Sequence, residues 1–231
     1  MRASKILRQE SLFTTFTFLH FKTIGSIHMY IPPHYQSHDA EEVKEFIKQN
    51  SFGILINVTE NKPWGTHIPL ELEEDEHGND VLVGHIAKAN PQWKYFRNEA
   101  EVLCIFNGPH AYVSSSWYKE EEVPTWNYVA VHVYGALRVL SEDETMASMH
   151  RLVNKYERDS KNPISLDHMS PQTLRQVKGV VGFEIRISDI QATYKLSQTR
   201  AADHEKIVSE LKERPDSGSQ GVASLMQNNK E

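Results

Sequence analysis

A single cysteine, Cys104, is all the thiol that this 231-residue chain carries. That excludes an internal disulfide and any zinc site built on several thiolates. One unpaired thiol suits a reducing compartment and points to the cytosol. Positive charge is also in short supply, since 25 Lys and Arg face 31 Asp and Glu for a net charge of −6. A chain so charged has no general attraction for phosphate backbones. The sequence contains no G-x-G-x-x-G, no G-x-x-x-x-G-K-[ST], no C-x-x-C and no H-E-x-x-H, so the dinucleotide, P-loop, dithiol and zinc-protease chemistries lose their usual carriers. Long alternation of strand and helix is missing too, which argues against a doubly wound parallel sheet.

Hydrophobic residues make up 39% and charged residues 24%, a globular rather than a disordered composition. The first 28 residues differ from the rest. They hold Arg2, Lys5, Arg8 and Lys22 against one acid, Glu10, with several Ser and Thr. No apolar run there approaches the roughly 18 residues of a membrane span, and no clean secretory cleavage pattern is present. Two readings stand: an organelle transit peptide, or a disordered leader ahead of a functional start at Met29. From Met29 onward 21 basic residues face 30 acidic ones. Residues 29–213 read as one folded domain, and residues 214–231, opening on Arg214-Pro215-Asp216-Ser217-Gly218, as a flexible tail.

Within the domain, Asp39-Ala40-Glu41-Glu42 is an N-cap followed by acids, opening a helix over 39–50 with Val43, Phe46 and Ile47 on one face. The period then changes to two. Strands are predicted at 52–58, 66–72, 81–86, 102–106, 110–116, 128–140, 180–187 and 192–196. Asn107-Gly108-Pro109 reads as a turn between two of them, and Gly135 marks a bulge or bend in the longest. Ser141-Glu142-Asp143-Glu144 is a capping box for a helix to about Arg158, with Met146, Met149, Leu152, Val153 and Tyr156 as its buried stripe. Pro91 opens a short helix, another lies near 171–177, and a last one runs over 201–212 with Ile207, Val208 and Leu211 inside. The sum is a mainly β (α+β) fold: an antiparallel barrel of six to eight strands with peripheral helices.

Chemistry-bearing residues gather at strand ends beside aromatics. Thr66 and His67 follow Trp64; His85, Lys88 and Asn90 precede Trp93; Ser114, Ser115 and Ser116 run into Trp117 and Tyr118; Thr125 and Asn127 flank Trp126. Lysine and hydroxyls suit a phosphate, and flat rings suit a planar heterocycle. If 114–116 were strand, Ser114 and Ser116 would share one face and Ser115 the other, and all three could meet one phosphate only across a bulge. Cys104, inside Val102-Leu103-Cys104-Ile105-Phe106, reads as core. His67, His85, His110 and His132 lie on or beside strands without short ligand spacing, so no metal site is assigned.

The ordered strings Met29-Tyr30-Ile31-Pro32, Thr66-His67-Ile68-Pro69, Gly84-His85-Ile86-Ala87-Lys88-Ala89-Asn90-Pro91-Gln92-Trp93, Gly108-Pro109-His110-Ala111-Tyr112-Val113-Ser114, Pro124-Thr125-Trp126-Asn127-Tyr128 and Lys195-Leu196-Ser197-Gln198 resemble the PaiB family over about 29–211. Thr199 stands where that pattern has Asn. The resemblance implies a split β-barrel that binds flavin mononucleotide (FMN) at a homodimer interface. It also implies a negative transcriptional regulator in the cytoplasm. The flavin site would draw on Thr66, His67, His85, Lys88, Asn90, Ser114, Ser115, Ser116, Trp117 and Tyr118, with Lys88 on the phosphate and Trp117 near the ring. Direct DNA contact has little support from an acidic body without a basic recognition helix. The alternative is an FMN-dependent oxidoreductase, or a haem-handling enzyme, on the same barrel.

Overall fold

The structure, a computed structural model, describes residues 29–37 and 39–228; the leader read at 1–28 lies outside them. Helix α1 (Ala40–Gln49) starts where the Asp39 carboxylate accepts the backbone N–H groups of Glu41 and Glu42 at 3.0 and 3.1 Å. It buries Val43, Phe46 and Ile47, the face its periodicity predicts. Strand β1 (Phe52–Thr59) turns into β2 (Lys62–Glu74) through Glu60 and Asn61, both at positive φ, as a tight two-residue hairpin requires. β3 (Asp80–Ala87), β4 (Ala100–Val113) and β5 (Thr125–Val139) follow. Helix α2 (Glu142–Glu157) and the short α3 (Pro171–Leu174) then lead to β6 (Val180–Lys195). Helices α4 (His204–Glu213) and α5 (Ser217–Asn228) end the described chain.

The six strands close into a barrel in the order β1-β2-β3-β6-β5-β4, antiparallel throughout. Closure leaves no long bare edge for another chain to join. Leu55, Leu70, Ile86, Cys104, Phe106, Val131, Val133, Phe183 and Ile185 fill the interior. Cys104 is fully buried, and burial pushes its thiol pKa well up, so it packs as a small hydrophobe.

Four local expectations are corrected. Asn107-Gly108-Pro109 is no hairpin turn. β4 runs straight through it, and the pairing with β5 shifts between Asn107 and His110, so one extra residue is absorbed as a bulge. The last two predicted strands are likewise one, β6, with the register against β5 shifting at Tyr134/Gly135. Gly135 is required there, because a Cβ would sit 2.4 Å from the carbonyl oxygen of Arg186. In α2 the capping box forms as read, but the expected stripe is displaced: Thr145 and Ser148 are buried, and Tyr156 is 53% exposed. The helix crosses β6 at Gly182, where an added Cβ would lie 2.4–3.0 Å from Thr145. Only short side chains fit at that distance, and both hydroxyls fold back onto helix carbonyls at 2.7 and 2.8 Å. Finally, most of the supposed flexible tail is α5, which packs on α4 and β4. Val222, Ala223 and Met226 are buried, while Gly218 and Gly221 let the helix lie against His110 and Pro109.

Candidate functional site

At one end of the barrel, Thr66, Asn90 and the turn after β3 are tied together. Asn90 caps the 3-10 turn Pro91–Tyr95 by accepting the Gln92 N–H at 3.0 Å, and its amide donates to the Thr66 hydroxyl at 3.0 Å. That hydroxyl donates in turn to Gln92 Oε1. Gln92, fully buried, sends its amide to Asn57 Oδ1 (2.8 Å) and to the Trp64 carbonyl (3.0 Å). Thr66 and Asn90 thus spend most of their hydrogen-bonding capacity on fixing the loop. Lys88 sits on this loop, exposed. Its backbone is held by Gly179 and by the Trp93 indole, which donates to the Lys88 carbonyl at 2.9 Å; its ammonium has no carboxylate partner among the described residues. His67 projects outward from β2 beside Phe52, with ring centroids 6.4 Å apart. His85 is half-buried on β3, and burial lowers its pKa from 6.5.

The second cluster follows β4. Ser115–Trp117 is a 3-10 turn rather than strand, capped by Ser114, whose hydroxyl accepts the Ser116 N–H at 3.2 Å. Ser114 and Ser116 hydroxyls lie 2.8 Å apart. Trp117 and Tyr118 are half-buried, and each carries a guanidinium over its ring: Arg214 at 4.7 Å and Arg200 at 4.1 Å from the centroids. Beside them Tyr112 and Trp126 form an exposed cross-strand edge-to-face pair at 6.0 Å, with His110 next to Trp126.

Register decides whether the clusters meet within one chain. Thr66 is level with Leu55, and Leu55 with Cys104 of β4. Ser114 lies just beyond the end of that same strand, about 30 Å further along it. Within one chain the structure therefore joins Thr66 to Asn90 on the loop that carries Lys88, whereas His67 lies on the opposite face of β2 beside Phe52 and His85 lines a small cleft with Ser148 and Leu152 of α2. The structure brings together Ser114, Ser115, Ser116, Trp117 and Tyr118 separately, at the far end. Between the two ends, the outer face of β1, β4 and β5 presents Ile54, Ile56, Leu103, Ile105, His132 and Tyr134 side by side, all half-exposed. Phe52 and Val58 at its margins are 67% and 68% exposed. His132 Nδ1 is sealed from solvent without a partner, and burial lowers its pKa from 6.5.

A further cleft lies elsewhere. It is a charged groove of about 1400 Å³ beneath α2. Its cations are largely consumed by pairs such as Arg151 with Glu73, Lys155 with Glu71, and Arg138 with Glu144 and Glu184. A phosphate entering it would meet carboxylates, so it does not suit an anionic cofactor.

Sequence reasoning missed Gln92 as the hub of the first cluster, because its partners lie 26 to 35 residues away and leave no local signal. Arg200 and Arg214 escaped for the same reason. Trp126 and Tyr112 were visible as aromatics, but that they pair across strands and face outward depends on register.

Comparison with known proteins agrees with this architecture. The family described as "Putative FMN-binding domain" matches residues 29–189. The chain is 43% identical over 202 residues to "Protease synthase and sporulation protein PAI 2" of Bacillus subtilis, covering 86% of this chain and 97% of that protein. It is 30% identical to an uncharacterized protein of Emericella nidulans, over 68% of this chain and 79% of the relative. Among solved structures, the FAD and heme binding protein from Mycobacterium smegmatis matches with a TM-score of 0.55 at 13% identity, over 70% of this chain and 73% of that one. The flavocytochrome Anf3 from Azotobacter vinelandii matches with 0.54 at 12%, over 69% of each. At such low identity these two show the fold.

Proposed function

Because the chain belongs to the FMN-binding PaiB family, we propose that it works as a flavin-bearing homodimer that lowers transcription of target genes in the cytoplasm. The observation that carries this reading is the separation of the two clusters, with an apolar sheet face between them. A two-fold axis through that face sets the Lys88 end of one copy against the Ser114–Tyr118 end of the other, and builds two equivalent sites. The donor set fits FMN. The unpaired Lys88 ammonium and the Ser114 and Ser116 hydroxyls suit a phosphate, while Trp117 and Tyr118 offer flat walls. Thr66 and Asn90 hold the Lys88 loop in place. FMN bound there supplies reversible redox chemistry. The acidic body favours regulation through a protein partner over a direct grip on DNA. No helix among the described residues is long and apolar enough to cross a membrane.

The test is the absorbance spectrum of the purified protein with release and identification of its chromophore, alongside sedimentation mass. A flavin spectrum and twice the chain mass are expected. Lys88→Ala should weaken FMN by about tenfold or more, the scale of a charged phosphate contact, and leave riboflavin affinity unchanged. Ile105→Asp should give a monomer that no longer holds FMN. A colourless protein that gains no flavin band on FMN addition would refute the reading. A salt-dependent shift of specific promoter DNA would refute the partner-mediated clause.

A further inference from the structure

The C-terminal segment does more than cap the barrel. Ser115–Trp117 is a 3-10 turn of only three residues, and the rings of Trp117 and of its C-cap Tyr118 rest on the barrel core. The turn is held from outside at three points. On the incoming side, Arg214 donates to the Tyr112 carbonyl at 2.7 Å. At the crest, Arg214 and Arg200 lie over Trp117 and Tyr118, and the buried Asp203 accepts the Lys119 N–H at 3.0 Å. On the outgoing side, Arg200 pairs with Glu122 at 3.2 Å. The Tyr118 hydroxyl is sealed without a partner, so the guanidinium on its face orients that ring in place of a hydrogen bond. A flat cation over each ring restrains its rotation against the barrel core on which both rings pack.

We propose that residues 200–214 are a clamp on the aromatic turn, and that Arg200 and Arg214 are positioning residues of the flavin site. Neither need touch the flavin. Each sets the plane in which a ring meets it. The proposal rests on the flavin reading above, and its test separates the two.

FMN affinity and visible circular dichroism would be measured for the full chain and for Arg200→Ala, Arg214→Ala and Arg214→Lys, with Arg186→Ala at a distant ion pair as control. Hydrogen exchange of the amides at 115–119 would be followed in the same proteins without flavin. The clamp predicts a rise in Kd of about tenfold for each alanine variant and an altered flavin dichroism band. Arg214→Lys should fall between, since it keeps the charge and loses the flat stacking, and Arg186→Ala should match wild type. Exchange at 115–119 should speed up about tenfold in the alanine variants while β5 amides stay unchanged. If wild type binds no FMN yet the turn loosens in the variants, the clamp stands and the flavin reading fails. If wild type binds FMN and folded Arg214→Ala or Arg214→Lys binds equally well with unchanged exchange, the clamp is overturned. Should the alanine variants unfold, Arg214→Lys alone decides by the same two readouts.

Discussion

Replacing Gln92 by Leu keeps nearly the same volume in a fully buried position and removes three hydrogen bonds at once. The change strands Asn57 Oδ1 and the Trp64 carbonyl, which lose the Gln92 amide at 2.8 and 3.0 Å, and the Thr66 hydroxyl, which loses its acceptor. Asn57 is 6% exposed, so its orphaned oxygen costs about 2 kcal/mol; the half-buried Trp64 and Thr66 groups can turn to water and cost about 0.5 kcal/mol each. The total is about 3 kcal/mol. With a urea m-value of about 2 kcal/mol/M, the unfolding midpoint should fall by about 1.5 M at fixed protein concentration, with m unchanged. The Lys88 loop loses its anchor as well, so FMN affinity should drop in the protein that remains folded. Thr66→Val alone should cost less, and the double variant less than the sum, because the two side chains share a bond. A loss below about 1 kcal/mol in Gln92→Leu, or full additivity in the double variant, would refute the view of Gln92 as the hub.

Gly135→Ala should destabilise by about 3 kcal/mol or more, because its Cβ would meet the Arg186 backbone and neither strand can retreat without breaking the ladder. Gly179→Ala, with nothing within 4 Å of the new carbon, should melt within a degree or two of wild type. Stability should also fall as pH drops. Burial holds the pKa values of His85 and His132 below 6.5, so the unfolded chain takes up protons first. Their contribution is complete above pH 6.5 and lost as pH falls through the folded values. Thermal melts from pH 8 to 5 should show this decline, and His85→Gln and His132→Gln should each flatten it.

What could be read from the chain was local. The Asp39 cap, the Ser141–Glu144 capping box and the alternation of β5 are patterns within a few residues, and each formed as read. Asn107-Gly108-Pro109 misled because its composition is turn chemistry. Pairing with β5 on both sides overrides it. The α2 stripe misled because a close crossing at Gly182 selects for small side chains over greasy ones. The segment after Arg214 is rich in Ser, Gly and Gln and looks like linker, yet Val222, Ala223 and Met226 recur at helical spacing. For the site, Lys88, Asn90 and Ser114 to Tyr118 fall just past strand ends, whereas Thr66 and His67 lie inside β2. Which ends lie together is a property of register and barrel closure, and no short window holds that information.

β6 also has a bearing on how the chain is made. It is the strand that shuts the ring, lying between β3 and β5, and its last residues also hold Gln36 and the Met29 N–H. β3 ends at Ala87 and β6 at Lys195, so on the ribosome roughly 100 residues, or about 5–20 s of synthesis, separate the two. Through that interval β3 and β5 emerge with bare hydrogen-bonding edges. The nascent chain is then a ready partner for chaperones, and for misjoining with its neighbours on a polysome, until the last strand arrives.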